Sequence, residues 1–296
     1  MSMDDLLLKK RIKEIYWERN PEGIKSNFGK TLLIGSSKSY PNAIIISALF
    51  SDITGVGYTF VSTEESCRRN VLSRVPLNQV SGRSLEERYS LTVEERENYL
   101  SSFNSILFGN GIEIKEENRK LLFNILSAYQ ETLIIDASGL VLLKEILDSS
   151  RNTFAPKNIL LTPHLGEARK LLDAEDIVSR NPLDYKDKAS AFSKKRNRKL
   201  LLKSSSSLLV DGDRFYPSAY SPCAVLGKAG SGDGLAGYLA GLIGSHSKDG
   251  SLDDLIVFGD DFLHQAAIRI GKKISPALGS ILDVLPERRL RIQEAE

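Results

Sequence analysis

Residues 227–237 read Gly-Lys-Ala-Gly-Ser-Gly-Asp-Gly-Leu-Ala-Gly and run into an apolar helical pattern that begins at about Asp233. Glycines free the backbone for conformations that side chains forbid. The exposed N–H groups of a first helical turn, together with the helix dipole, favour an anion. A phosphate-bearing ligand fits such a loop. The Asp233 carboxylate then stands beside that phosphate and can take a proton from a substrate hydroxyl. The competing account is a helix cap supplied by Ser231 or Asp233. A cap alone does not require Gly230, Gly232 and Gly234 together, so both accounts stand.

Other residues able to do chemistry also follow apolar runs. Lys203, Ser204, Ser205, Ser206 and Ser207 offer one cation and four hydroxyls, which suit phosphate or ribose oxygens or a polar hairpin. Asp136 ends an apolar run and can serve a magnesium–phosphate group or cap a helix starting near Leu140. His164 stands in Leu-Thr-Pro-His-Leu-Gly-Glu, residues 161–167. Thr162 is a candidate cap for the next helix, with Pro163 in its first turn. His164 and Glu167 make a poor ligand pair, and a chain with three histidines is not expected to build a metal cluster. His246 and His264 fall on or near helical segments and receive no role.

Several signatures fail on spacing. Gly29-Lys30-Thr31 ends like a Walker A loop, but its first glycine would fall on Ile24 and the triplet precedes its strand. Gly55-Val56-Gly57 and Gly109-Asn110-Gly111 open dinucleotide fingerprints whose third glycine would fall on Phe60 or Ile114. There is no G-x-S-x-G, so a hydrolase triad has no support.

The elements that must position these residues follow from patterning. Short apolar runs at 31–34, 56–61, 105–108, 132–135, 158–161, 199–202 and 207–210 read as strands. Most are apolar at consecutive positions, as parallel strands covered on both faces are. Helical periodicity occupies 5–19, 42–53, 64–73, 116–129, 140–148, 166–172, 185–194, 233–243 and 252–270. The alternation predicts an α/β fold with a mostly parallel sheet between helical layers. In such sheets ligands bind beyond the carboxyl ends of the strands, where the candidate residues fall. The polar stretch 79–98 reads as a surface excursion, and no stretch reads as an interdomain linker.

Composition bounds the rest. The 296-residue chain has 40 Lys and Arg against 38 Asp and Glu, for a formal net charge of +2. At 41% apolar and 26% charged it is neither disordered nor a disulfide scaffold. Its near-neutral balance gives no electrostatic reason for a nucleic-acid partner, and the basic run 194–199 reads as a solvated turn. Cys67 and Cys223 show no metal spacing and are expected to be free thiols. Residues 1–20 lack a signal-peptide core. The longest apolar stretch, 234–244, is well below the roughly 20 residues of a membrane span. A cytoplasmic protein without a membrane partner is the expectation.

Taken in order, the pieces resemble the ADP/ATP-dependent NAD(P)H-hydrate dehydratases of the ribokinase-like superfamily. The resemblance begins at Lys25-Ser26-Asn27-Phe28-Gly29-Lys30 and Leu33-Ile34-Gly35-Ser36-Ser37. It continues through Tyr40-Pro41-Asn42-Ala43, Gly109-Asn110-Gly111, Ile135-Asp136-Ala137 and the 161–167 segment, and closes at Leu202-Lys203 and residues 230–237. It implies a single-domain three-layer sandwich over residues 25–296, with 1–24 as an N-terminal helical segment. It implies phosphorylation of a hydrated nicotinamide ring by ADP or ATP, then loss of phosphate. Asp233 would be the base, and Gly230, Ser231 and Gly232 the anion hole. Lys203, Ser204, Ser205, Ser206, Ser207 and Gly232 would bind the nucleotide, and Ala43, Gly111, His164 and Asp233 the hydrated dinucleotide. Mg²⁺ would accompany the nucleotide, and the protein would assemble as a homotetramer.

The chain departs from the family pattern at Ser36, Ser138, Ser204 and Ala229, where the family has Gly, Asp, Gly and Gly, and at Leu165, where it has Pro. A small-alcohol kinase of the same superfamily would share Asp233 and the anion hole. A degenerate nucleotide-binding protein is the alternative outside enzymes, motivated by the serine replacements.

Overall fold

The computed structural model describes residues 22–75, 79–80, 84–149, 154–218, 224–246 and 251–270. The helix expected at 5–19 and Cys223 lie outside them. Cys67 is buried and free.

The strands are β1 (Lys30–Ile34), β2 (Tyr58–Ser62), β3 (Gln79–Val80), β4 (Ser105–Phe108), β5 (Thr132–Ile135), β6 (Asn158–Leu161), β7 (Lys199–Leu202), β8 (Leu208–Asp211) and β9 (Arg214–Pro217). Among the described residues they form one nine-stranded sheet in the order β3-β2-β1-β4-β5-β6-β7-β8-β9. Neighbours from β3 to β7 pair parallel, and β8 and β9 pair antiparallel. The helices, in chain order, are α1 (Ala43–Asp52), α2 (Glu65–Leu72), α3 (Leu85–Tyr89), α4 (Val93–Leu100), α5 (Glu116–Ala128), α6 (Ser138–Ser149), α7 (Leu165–Leu171), α8 (Lys186–Arg196), α9 (Ser231–His246) and α10 (Leu252–Ile270).

Every residue of β4 and β5 is buried, so apolar side chains are needed on both faces. Alternation then sorts them. Leu33, Leu107, Ile134, Leu160 and Leu201 enter a core with α1, α9 and α10. Leu32, Ile106, Leu133, Ile159 and Leu200 enter a second core with α5, α6, α7 and α8. This is the three-layer α/β sandwich that the patterning predicts.

The glycines of the 227–237 loop continue into α9 with a packing role. A Cβ on Gly237 would lie 2.1 Å from the Ser47 carbonyl oxygen of α1. Only glycine lets these two helices approach so closely. The packing holds the start of α9 against the end of the sheet.

The structure differs from the sequence expectation in three local ways. The 79–98 excursion contains β3, α3 and most of α4, which runs on to Leu100. Ser84 with Glu87, and Thr92 with Glu95, form reciprocal capping boxes, a Ser/Thr-x-x-Glu signal that is visible in the sequence. Buried Leu85, Arg88 and Leu100 tie the excursion down. The edge strand β9 is also unanticipated, because its Arg-Phe-Tyr-Pro sequence is largely exposed. Finally, α6 and α9 begin at Ser138 and Ser231, two residues earlier than expected.

Candidate active site

The ends of the central parallel strands and the start of α9 converge. After β4 come Gly109 and Asn110, after β5 Asp136, after β6 Thr162 to His164, and after β7 Lys203. The Lys203 N–H donates to the Pro163 carbonyl at 2.8 Å, which carries the β6–β7 pairing one step into the site.

Four side chains form a chain of contacts. Lys203 Nζ donates to Asp136 Oδ1 at 2.5 Å. Asn110 Nδ2 donates to Asp136 Oδ2 at 3.3 Å and to Asp233 Oδ1 at 2.6 Å. Two carboxylates on one side dictate which way the amide points. Asn110 Oδ1 is left buried without a hydrogen-bond partner among the described residues. Asp136 is buried and Asp233 half-buried.

Three carboxyls, Asp136, Glu167 and Asp233, thus surround one lysine. Desolvation pushes the Asp233 carboxyl up to about 6, and the neighbouring Asp136 and Glu167 charges add to this. The Asn110 hydrogen bond and the Lys203 charge pull the other way. Glu167 is also raised, first by burial, with Lys203 opposing. A half-buried carboxyl poised near 6 is ionised at neutral pH yet basic enough to accept a proton.

Beside this cluster lies a pocket of about 430 Å³. One end is polar, with His164, Lys203, Ser231 and Gly232. Phe50, Leu226, Leu235 and Leu263 supply apolar walls, and Ser207, Asp260 and His264 line it as well. A Cβ on Gly232 would sit 3.1 Å from Lys203 Nζ, so the amine lies against the first turn of α9. Cation and helix N-terminus together make an end suited to an anion.

Residues 31–273 match the family model for NAD(P)H-hydrate dehydratase. The chain belongs to this family. It is 28% identical over 284 residues to an ADP-dependent (S)-NAD(P)H-hydrate dehydratase of Enterococcus faecalis, covering 92% of this chain and 90% of the relative. It is 27% identical over 274 residues to a bifunctional NAD(P)H-hydrate repair enzyme of Dictyoglomus turgidum, covering 88% of this chain and 51% of the relative. The chain therefore spans about half the length of the bifunctional relatives it matches. A ribokinase-like superfamily protein of Enterococcus faecalis superposes with a TM-score of 0.79 at 23% identity, covering 96% of this chain and 94% of that one. An ADP/ATP-dependent NAD(P)H-hydrate dehydratase of Bacillus subtilis, co-crystallized with ATP and Mg²⁺, gives 0.79 at 18% identity, covering 96% and 97%. The family and the ribokinase-like fold both agree with the sequence resemblance.

In this family member the residues singled out by sequence fall into three places. Lys203, Ser204, Ser205, Ser207, Ser231, Gly232 and His164 line the pocket, whereas Asp233, the residue after Gly232, does not. Ser206 does not line it, and its carbonyl instead accepts the Ser204 hydroxyl at 2.7 Å. Gly230 makes the turn into α9 at φ 90°, a backbone that favours glycine. Ala43 and Gly111 pack on each other behind Asn110, where a Cβ on Gly111 would lie 2.9 Å from that of Ala43. Ser47 Oγ links this region to α9, donating to the Asp233 carbonyl at 3.0 Å.

His164, not Thr162, caps α7. Its Nδ1 accepts the N–H groups of Gly166 at 3.0 Å and Glu167 at 3.3 Å, while Glu167 Oε2 accepts the His164 N–H at 2.9 Å. Thr162 is fully buried at the end of β6 and cannot reach the helix start. Ser36, one of the departures, holds φ 63°, and its Oγ accepts the Ile44 N–H at 3.2 Å near the start of α1. The serine thus ties α1 to the loop after β1, which a glycine cannot do.

Sequence reasoning passed over Asn110, Asp260 and His264. Asn110 lay in a triplet weighed only for its glycines. Asp260 and His264 stand at i, i+4 on α10, one face of a helix, and that spacing was the available signal.

Proposed function

We propose that this protein restores NAD(P)H from its ring-hydrated form in an ADP- or ATP-dependent dehydration. The observation that carries the reading is the Lys203–Asp136–Asn110–Asp233 chain at the start of α9, beside a pocket with one anion-suited end. Hydroxide is a poor leaving group and phosphate a good one. Asp233 takes the proton of the ring hydroxyl as that oxygen attacks the terminal phosphorus. Asp233 Oδ1 is held by Asn110, which leaves Oδ2 for the substrate. The N–H groups around Gly230, Ser231 and Gly232, with Lys203, stabilise the phosphoryl group in flight. The nucleotide departs without its terminal phosphate, as AMP from ADP or ADP from ATP. Phosphate then leaves the ring with the C–O bonding electrons, the adjacent ring carbon gives up a proton to water, and the ring double bond returns.

Lys203, Ser204, Ser205 and Ser207 would bind the nucleotide. Ser206 is assigned only to the turn of that loop. Ala43, Gly111 and His164, with Asp233, would hold the hydrated dinucleotide. Mg²⁺ fits as a companion of the phosphates. Among the described residues no three of His, Cys, Asp or Glu are grouped to hold a metal ion, so phosphate oxygens and water would supply its ligands. Three carboxyls against one lysine also repel a bare polyphosphate, and a divalent cation relieves that. The resemblance further supports a homotetramer and one domain over 25–296, and the cysteine usage supports a cytoplasmic location. Among the described residues no helix is long and apolar enough to cross a membrane.

The test is one assay. Hydrated NADH, Mg²⁺ and ADP or ATP are mixed with the protein, and the absorbance of restored NADH is followed beside phosphate release. The expected result is recovery of both in equal amounts. A phosphorylated dinucleotide that accumulates would identify a kinase instead, and no recovery with either nucleotide would remove the proposal.

A further inference from the structure

One exposed aromatic ring stands on a loop that is tied down from several sides. Tyr40 lies between β1 and α1 and is 63% exposed. Its N–H donates to the Ser37 carbonyl at 3.1 Å, and the Ser36 N–H donates to the Asn110 carbonyl at 2.8 Å. Ser36 Oγ donates to the Pro41 carbonyl at 3.3 Å. The Lys38 N–H donates to Glu64 Oε2 at 3.3 Å, and Ser39 Oγ to Glu113 Oε1 at 3.1 Å. Glu64 Oε1 also pairs with Lys115 Nζ at 2.8 Å. The loops after β1, β2 and β4 are thus joined, and the join presents Tyr40. A ring held at the surface on a fixed backbone loses little freedom when a ligand covers it.

The position of the ring points to its ligand. A Cβ on Gly111 would lie 2.8 Å from the Tyr40 carbonyl oxygen, and Gly111 follows Asn110, whose amide holds Asp233 at 2.6 Å. Dinucleotide and nucleotide meet at Asp233 and must leave it in different directions. The pocket between Lys203 and α10 suits the nucleotide, and Tyr40 does not line it. The dinucleotide is left the other way, over Gly111 toward Tyr40. Hydration removes a double bond from the nicotinamide ring, which then offers no flat aromatic face. The adenine at the far end of the molecule keeps one. We infer that Tyr40 is a binding residue for the adenine half of the hydrated dinucleotide, its exposed ring stacking on the purine. This rests on the proposed function.

Steady-state kinetics of the full-length protein test this, with Mg²⁺, saturating ADP or ATP, and two substrates. One is hydrated NADH, and the other is hydrated reduced nicotinamide mononucleotide, which lacks the adenosine half. Tyr40→Ala is expected to raise KM for hydrated NADH roughly tenfold with kcat unchanged, in the range of one base stacked on an aromatic ring. KM for the mononucleotide is expected to stay at the wild-type value. Tyr40→Phe, which keeps the aromatic face, is expected to keep the wild-type KM for hydrated NADH. An unchanged KM for hydrated NADH in Tyr40→Ala overturns the inference. So does an equal loss on both substrates, because the ring would then serve the reacting half or the loop itself. If Tyr40→Ala does not fold, Tyr40→Leu keeps the bulk without the aromatic face and carries the same expectations and the same overturning results. A wild-type protein that turns over hydrated NADH with neither nucleotide removes the inference and the proposed function together. Turnover that is insensitive to the Tyr40 substitutions removes the inference only.

Discussion

Two buried aspartates, Asp136 beside the pocket and Asp260 in its wall, are satisfied in opposite ways. Asp136, 1% exposed, is held by a cation, Lys203, and by the Asn110 amide. Asp260, 3% exposed, is held by a hydroxyl, Ser207, and an imidazole, His264. Burial pushes the Asp260 carboxyl up, with His264 and then Ser207 opposing. The first arrangement carries net charge and hands its field on to Asp233. The second sets a buried carboxyl against an imidazole and a hydroxyl in the pocket wall. The first places a cation and carboxyls beside the start of α9, and the second ties α10 to the turn between β7 and β8 through Ser207.

Breaking the charged end has the largest effects. Asp233→Asn is expected to lower kcat by about 10²–10⁴-fold, the usual worth of a general base, in the NADH-recovery assay. Its fold should survive, because an amide oxygen can still accept from Asn110. With a folded-state value of about 6 against the ordinary aspartate value of 3.8, the Asp233 carboxyl contributes stability below about pH 4 that is lost as pH rises through 6. The variant should therefore melt no lower than the parent at pH 7. Full activity in Asp233→Asn would break the assignment of the base.

Next in size is Lys203→Met. It leaves Asp136 buried without its cation, at a cost of about 3–5 kcal/mol in denaturant unfolding, and weakens nucleotide binding. Adding Asp136→Asn should return part of the stability but not the affinity. If the double substitution restores both, Lys203 serves only its carboxylate.

Gly237→Ala probes how α9 is held in place. The methyl would meet the Ser47 carbonyl, so a loss of about 1–3 kcal/mol is expected in the same measurement. The smallest expected effect is a shift in pH dependence. Activity of the parent should fall as Asp233 protonates, with an acid limb at about 6. Asn110 stabilises the ionised form, so Asn110→Ala should move that limb upward by roughly one unit, with a smaller loss on the alkaline side. A uniform loss at all pH values would mean that Asn110 is merely structural.

Much of this was legible locally. The strands of the central sheet are consecutive apolar runs, and residues 230–237 announce a helix start by their glycines. The capping boxes at Ser84 and Thr92 were equally readable, and only the polar composition of the 79–98 segment concealed them. The cap at His164 was not, because Thr162 is the stronger capping type and only its burial just past β6 disqualifies it. Ser206 shows the same limit: four serines in a row look alike in sequence, and the hairpin decides which of them faces the pocket.

The sequence by itself determined the α/β order, the family and the identity of Asp233, Lys203 and His164 as candidates. Periodicity, glycine spacing and residue type are local properties, and they survive in a string of letters. Tertiary structure alone decided that Asn110 bridges Asp136 and Asp233, which lie 26 and 123 positions from it. It alone brought Ser207 to Asp260 across 53 positions and set His264 in the same pocket. Parallel strands return each carboxyl end to one edge of the sheet, so residues remote in the chain become neighbours there, and their shared burial sets the proton affinities on which the chemistry depends.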